Sequence, residues 1–141
     1  MPLQYPPNRG EVVVADFSNL LPHEMTKIRP CVVISPRYQI RSNLVTVVCL
    51  STTQPDIFMD YHDKLEFDTP FSPKFPSRFM WIKGDMLYTL SLMRINRPHV
   101  VLPNGKRDYP IRMLEPADMN KVMKCVLCGI GYKVDKNLNR V

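Results

Sequence analysis

The sequence predicts a mainly β protein: a small, strongly bent antiparallel sheet or SH3-like barrel closed by one C-terminal α-helix. Three observations predict it. Six or seven short apolar runs are separated by proline and glycine turns, and they do not alternate with helical segments as α/β winding requires. Asn104-Gly105 stands between two apolar runs, a strong short-range hairpin signal. A 3.6-residue apolar period appears in residues 115–128, close to the C-terminal end.

The elements follow in order. After an N-terminal tail (residues 1–8), Arg9-Gly10-Glu11 leads through a glycine turn into Val-Val-Val-Ala-Asp-Phe, a first strand over about 11–17. Cys31–Ser35 reads as the second strand, stopped by Pro36, and Leu44–Leu50 as the third. Residues 54–80 carry four prolines (55, 70, 73 and 76) and several acids around a short strand candidate, Lys64–Asp68. This is a long loop with one embedded strand, and long loops in compact domains are often functional. Trp81–Thr89 reads as a further strand, bulged at Gly84; Ser91–Asn96 fits either a helical turn or a loop. Val100–Leu102 and Tyr109–Leu114 flank the Asn-Gly turn. Glu115-Pro116-Ala117-Asp118 opens the helix, with proline where its missing N–H costs little, and Gly129 is the expected terminator.

A chain of 141 residues fits one domain with a core that needs no metal or disulfide staple. Its longest apolar runs are strand-sized, far short of the roughly 20 residues of a membrane helix. Met-Pro-Leu-Gln-Tyr-Pro-Pro-Asn-Arg lacks the apolar core of a signal peptide, so the expected compartment is the cytoplasm. Cys31 and Cys49 lie in apolar runs and read as buried thiols. Cys125-x-x-Cys128, with no second pair and no nearby histidine, is weak support for zinc, so neither metal nor cofactor is expected. The net charge of +6 is uneven: residues 1–70 hold 6 basic and 8 acidic side chains, residues 71–141 hold 13 and 5. A basic half favours phosphate-rich partners or an acidic protein.

Chemistry-bearing groups gather at three strand ends. His23 and Glu24 precede Arg29-Pro30, Ser51-Thr52-Thr53 follows the third strand, and Lys83-Gly84-Asp85 lies within the Trp81 strand. If these ends are neighbours, a base, cations and hydroxyls converge, a set suited to phosphoryl transfer at RNA. Each residue also has a plainer reading. Arg29 fits a surface ion pair, His23 a loop residue, Asp85 a turn former, Ser51–Thr53 a strand end and Trp81 a core anchor. Spacing alone leaves both readings open.

With those residues in view, the chain resembles the Kid/PemK/MazF family of bacterial toxin ribonucleases. Arg9-Gly10-Glu11-Val12-Val13 is similar to the family's opening strand, and His23-Glu24 ahead of Arg29-Pro30 to its His-Glu…Arg-Pro arrangement. Val47–Ser51 resembles its apolar strand ending in a hydroxyl residue, and Ile82-Lys83-Gly84-Asp85…Thr89 its basic-x-Asp…Thr segment. The resemblance covers most of residues 9–129.

It implies a CcdB/Kid-type barrel, a homodimer that cuts single-stranded RNA by 2′-OH attack without metal and is neutralised by an acidic antitoxin. By position, Asp85 would be the general base and Lys83 the general acid. Arg29 would hold the phosphate, or act as acid in the MazF-like version, while His23 and Ser51 support phosphate and sugar. The substrate-binding set is completed by Glu24, Thr52, Thr53, Tyr88 and Thr89. Two positions depart from the pattern: Lys83 stands where Kid-like members have arginine, and Tyr88 where the family often has arginine. Two other readings stand beside this one. A CcdB-like DNA gyrase poison would not need Arg29 or Lys83, and the tail Asn-Leu-Asn-Arg-Val lacks a Trp-Gly-Ile ending. A non-catalytic SH3-like binding module, or decayed toxin, would bind RNA or antitoxin and leave RNA length unchanged.

Overall fold

The structure is a computed structural model that describes residues 3, 6–20, 27–36 and 43–133. Nine strands, one 3-10 turn and one helix make up the described residues: β1 (Glu11–Asp16), β2 (Ile28–Val33), β3 (Leu44–Ser51), β4 (His62–Glu66), β5 (Phe79–Ser91), the turn Leu92–Arg94, β6 (Ile95–Asn96), β7 (Val100–Val101), β8 (Arg107–Asp108), β9 (Arg112–Met113) and α1 (Pro116–Gly129). The main sheet runs β4-β5-β3-β2-β1-β6, with β9 also on β1, and every pairing is antiparallel.

Period-two alternation divides the strands' apolar residues between two clusters. On one face Val12, Val32, Val48, Leu50, Leu65, Met80 and Ile82 pack against Met119, Val122, Cys125 and Val126 of α1. On the other, Val13, Ala15, Phe17, Cys31, Val33, Val45, Val47, Cys49 and Leu90 share a cluster with Leu92 and Ile95. The sheet is therefore curled, because the segment after β5 returns to pair with β1 and packs on residues from β3 and β5. The predicted small bent barrel with a terminal helix is what forms.

Arg9-Gly10-Glu11 is a structural latch. Gly10 adopts a φ of 88°, which favours glycine, and its N–H donates to Val33 O at 2.7 Å. Arg9 Nε donates to Ile34 O at 3.2 Å. The fully buried Glu11 carboxylate accepts from Arg97 Nε at 2.9 Å and from the Asn8 N–H at 3.3 Å. A buried carboxylate without such partners would be strongly destabilising.

Several sequence expectations shift. The second strand starts at Ile28 rather than Cys31, so Arg29 and Pro30 lie inside it, opposite Ala15 and Val14. Proline is tolerated there because the pairing with β3 begins only at Cys31. Gly129 does not end the helix by a left-handed turn. That task falls to Gly131 (φ 83°): its N–H donates to Cys128 O at 3.0 Å, and Tyr132 N–H to Leu127 O at 2.8 Å, a Schellman cap. Ser91–Asn96 takes the helical-turn option in part and adds a strand that was not expected: Ser91 caps the 3-10 turn by accepting from the Met93 N–H, and Ile95–Asn96 forms β6. The Asn104-Gly105 turn forms, with Gly105 at φ 81° between β7 and β8, but its second arm is Arg107–Asp108; the expected arm Tyr109–Leu114 instead supplies β9, which pairs with β1.

Candidate active site

The face bearing Cys31 and Cys49 turns polar at one end, and strand register shows which side chains meet there. Cys31 pairs with Cys49, their Sγ atoms 4.0 Å apart. Cys49 in turn pairs with Lys83, and Lys83 with His62. Two residues further along, Ser51 stands opposite Trp81 and Trp81 opposite Lys64, while Arg29 lies on β2 two residues before its pairing with β3 begins at Cys31. At about 4.8 Å between strands, Ser51, Trp81 and Lys64 form a transverse row roughly 10 Å long, with Lys83 and His62 in the row beside it. The α1-facing residues Leu65, Met80 and Ile82 alternate with these, so the row lies on the face away from the helix.

Arg29 is half-buried, and its Nε–H has no acceptor among the described residues. A buried donor without a partner is costly, so its retention marks a position suited to an anionic acceptor. Ser51 is almost fully buried; its Oγ accepts from the Thr53 N–H at 3.1 Å, which leaves the hydroxyl proton available to donate. Thr52 and Thr53 are exposed beside it.

Asp85 sits in the bulge foreseen at Gly84. Val48 pairs with Leu87 while its neighbour Cys49 pairs with Lys83, so Gly84, Asp85 and Met86 form an outward excursion of β5. Gly84 N–H donates to Tyr61 O at 2.9 Å. A β-carbon on Gly84 would collide with the Cys125 carbonyl, and one on Gly129 would lie 2.7 Å from Asp85 N. The helix therefore presses backbone to backbone on the bulge and fixes the main chain that carries Asp85, whose side chain is exposed.

Ser51 and Lys83 thus lie in neighbouring rows near one end of β3 and β5, with Thr52 and Thr53 next to Ser51, Arg29 on the adjoining β2, and Asp85 in the bulge between the rows of Cys49 and Val48. Tyr88 and Thr89 do not join them. Thr89 pairs with Thr46, their hydroxyls 2.8 Å apart, which is about 17 Å along β3 from Ser51. Tyr88 packs on the apolar cluster, its ring 5.0 Å from that of Phe17. His23 and Glu24 lie outside the described residues.

Sequence reading missed Lys64, His62 and Phe58 as candidates and placed Trp81 in the core. Trp81 is half-buried and belongs to neither cluster. The alternation of His62, Lys64 and Glu66 about a single buried Leu65 was the available signal that these three share a face. On the opposite side, burial first and then the Asp63 carboxylate push the Cys125 thiol up to about 12; burial, then Asp60, raises Cys128. These are inert thiols. Among the described residues no group of three or more His, Cys, Asp or Glu side chains could hold a metal ion.

A curled antiparallel half-barrel sheet closed by one C-terminal helix is the fold of the MazF-like toxins. The chain belongs to the family described as PemK-like, MazF-like toxin of type II toxin-antitoxin system, which matches residues 8–127. No curated protein matches it. Among solved structures it is similar to an endoribonuclease in complex with its cognate antitoxin from a Mycobacterial species, with a TM-score of 0.61 and 18% identity over 92% of this chain and 100% of that one. It is also similar to MazF from Deinococcus radiodurans, with a TM-score of 0.59 and 18% identity over 89% of this chain and 96% of that one.

Proposed function

We propose that the chain is an endoribonuclease toxin that cuts single-stranded RNA in the cytoplasm, with Arg29 holding the scissile phosphate. The observation that carries this reading is the buried Nε–H of Arg29, which has no acceptor among the described residues, in a chain of the toxin family. A guanidinium offers a planar fork of donors and stays charged, which suits a dianionic phosphorane and makes it a poor proton donor.

The reaction assigned to the site runs as follows. The Asp85 carboxylate takes the proton of the 2′-OH as its oxygen attacks the adjacent phosphorus. Arg29 and Ser51 stabilise the phosphorane's charge. The bond to the 5′-oxygen breaks, and Lys83 donates the proton that the leaving oxygen needs. The products are a 2′,3′-cyclic phosphate and a 5′-hydroxyl end. Arg29, Lys83 and Lys64 supply positive charge from the protein itself, so metal is not required. Single-stranded RNA is the substrate because its backbone can rotate to in-line geometry and its bases can splay.

Partners follow from the same reading. An acidic antitoxin segment would lay carboxylates on Arg29 and Lys83 and exclude RNA by charge and bulk; a solved relative is described in complex with its cognate antitoxin. The working unit is a homodimer. Incubation with a mixed-sequence RNA panel in EDTA is expected to give 5′-hydroxyl fragments, and Arg29→Ala or Asp85→Ala to abolish them. Intact RNA across the panel with the wild-type protein overturns the catalytic reading.

A further inference from the structure

Outside the phosphate end of the site, aromatic residues crowd the same face of β4 and β5 without joining either core. The Phe58 ring lies 5.8 Å from Trp81 at 81° and 5.8 Å from His62 at 64°, and Tyr61 is 4.6 Å from His62. Lys64 Nζ stands 4.1 Å from the Phe79 ring centroid and 5.9 Å from that of Trp81. Phe58 is 55% exposed and Phe79 39%. Large rings left this open gain little from the core, and their neighbours by strand register are Lys64 and Ser51, with Lys83 in the next row.

We propose that Phe58 and Trp81, edged by Lys64, form a stacking subsite for a nucleobase of the RNA strand adjoining the phosphate held at Arg29. The inference rests on the ribonuclease reading and adds the part of the substrate that this face takes. Trp81 is the strand neighbour of Ser51, so a nucleotide seated on its ring is one strand from the Ser51 hydroxyl and two from β2, which carries Arg29. A nucleobase offers a π-face to the aromatic pair, and its phosphate offers charge to Lys64 and Lys83; a neutral apolar peptide would use only the rings.

The nearby acids do not cancel that field. Asp60 and Asp63 act on the thiols of α1, on the far side of β4. Glu66 accepts from Arg78 NH2 at 3.5 Å, and its strand partner is Phe79, at the end of the row away from Lys83. Asp56 lies in the exposed turn before Phe58. Stacking on such a pair tolerates any base, so the subsite contributes grip, and sequence choice lies elsewhere.

Trp81 is the chain's single tryptophan, so its fluorescence reads the subsite directly. The full-length protein is titrated with a mixed-sequence 2′-O-methyl oligoribonucleotide, which cannot be cut, while anisotropy of a label on the oligonucleotide reports binding. Inorganic polyphosphate serves as a probe with charge and no bases. The oligonucleotide should quench Trp81 and polyphosphate should not. Phe58→Ala, at an exposed position, should keep the circular dichroism of the wild type and weaken oligonucleotide binding about tenfold. Binding without quenching, equal quenching by polyphosphate, no binding at all, or unchanged affinity in Phe58→Ala would each overturn the subsite. Cleavage is scored separately: quenching with no cleavage retains the subsite and removes the nuclease reading, and cleavage without quenching does the reverse.

Discussion

A β-carbon on Gly129 would lie 2.5 Å from the carbonyl carbon of Gly84. The C-terminal helix and the bulge of β5 thus touch through bare backbone, and Asp85 is the next residue of that bulge. This contact joins the packing of α1 to the placement of the carboxylate proposed as base. Gly129→Ala must push the helix off the bulge or distort both. We expect a loss of about 1–3 kcal/mol in stability, as for overpacked cores. We also expect a fall in kcat that persists at temperatures where the variant is fully folded. Urea denaturation and cleavage rates at saturating RNA check the pair. Wild-type stability together with wild-type kcat would show that the helix does not fix the bulge.

The proline-rich loop before β5 is tied to β9 by the Arg112 side chain. Arg112 donates to Thr69 Oγ1 at 3.1 Å, Pro70 O at 2.9 Å and Phe71 O at 3.1 Å, and its guanidinium lies 5.8 Å from the Phe71 ring. Phe71 is fully buried in the cluster under α1. Arg112→Ala should cost about 1–3 kcal/mol and open residues 67–79 to limited proteolysis. Arg112→Lys should rescue little, since a point charge cannot reach three acceptors fixed by a planar fork. If the cleavage pattern of Arg112→Ala matches the wild type, the tie is not what orders the loop.

The Cys125 thiol gives the fold an alkaline weakness. Its pKa rises from 9.0 to about 12, first because burial penalises the thiolate and then because Asp63 lies near. The neutral thiol is favoured in the folded chain, so the unfolded chain loses its proton first. Stability is unaffected below the unfolded value and falls as pH rises from about 9 towards 12, with a slope of at most about 1.4 kcal/mol per pH unit for one thiol. Denaturation at pH 8 and pH 10.5 should therefore show a smaller alkaline loss in Cys125→Ala than in the wild type. Equal losses would mean that the thiol ionises alike in both states.

The strands were legible wherever burial on one or both faces left a run of Val, Leu and Cys, and the Gly84 bulge was legible because glycine interrupts such a run. The start of β2 was not, because Pro30 reads as a boundary until the pairing with β3 is known to begin one residue later. Gly129 was taken for a helix terminator because glycine has two uses, and spacing does not separate a left-handed cap from a close approach. The motif residues Arg29, Ser51, Lys83 and Asp85 were all found in the sequence. How near they lie to one another depends on register across β2, β3 and β5, which no local pattern carries. Register likewise carries Tyr88 and Thr89 away from them, and it brings Lys64 and Trp81 in.

Arg29 should show opposite effects on stability and activity. Its buried Nε–H has no acceptor among the described residues, so the folded chain bears a desolvation cost of about 1–3 kcal/mol for one unsatisfied donor. Arg29→Met keeps much of the stem's bulk and removes the donor. It should raise stability by about 1 kcal/mol and lower cleavage by about 10²–10³-fold, the effect of removing one donor to a developing oxyanion. Arg29→Lys should recover part of the charge but not the fork, leaving cleavage well below wild type. The two measurements discriminate between roles. A structural arginine would lose stability on substitution to methionine, and activity would fall only as far as folding did. A phosphate clamp gains stability and loses rate in the same variant.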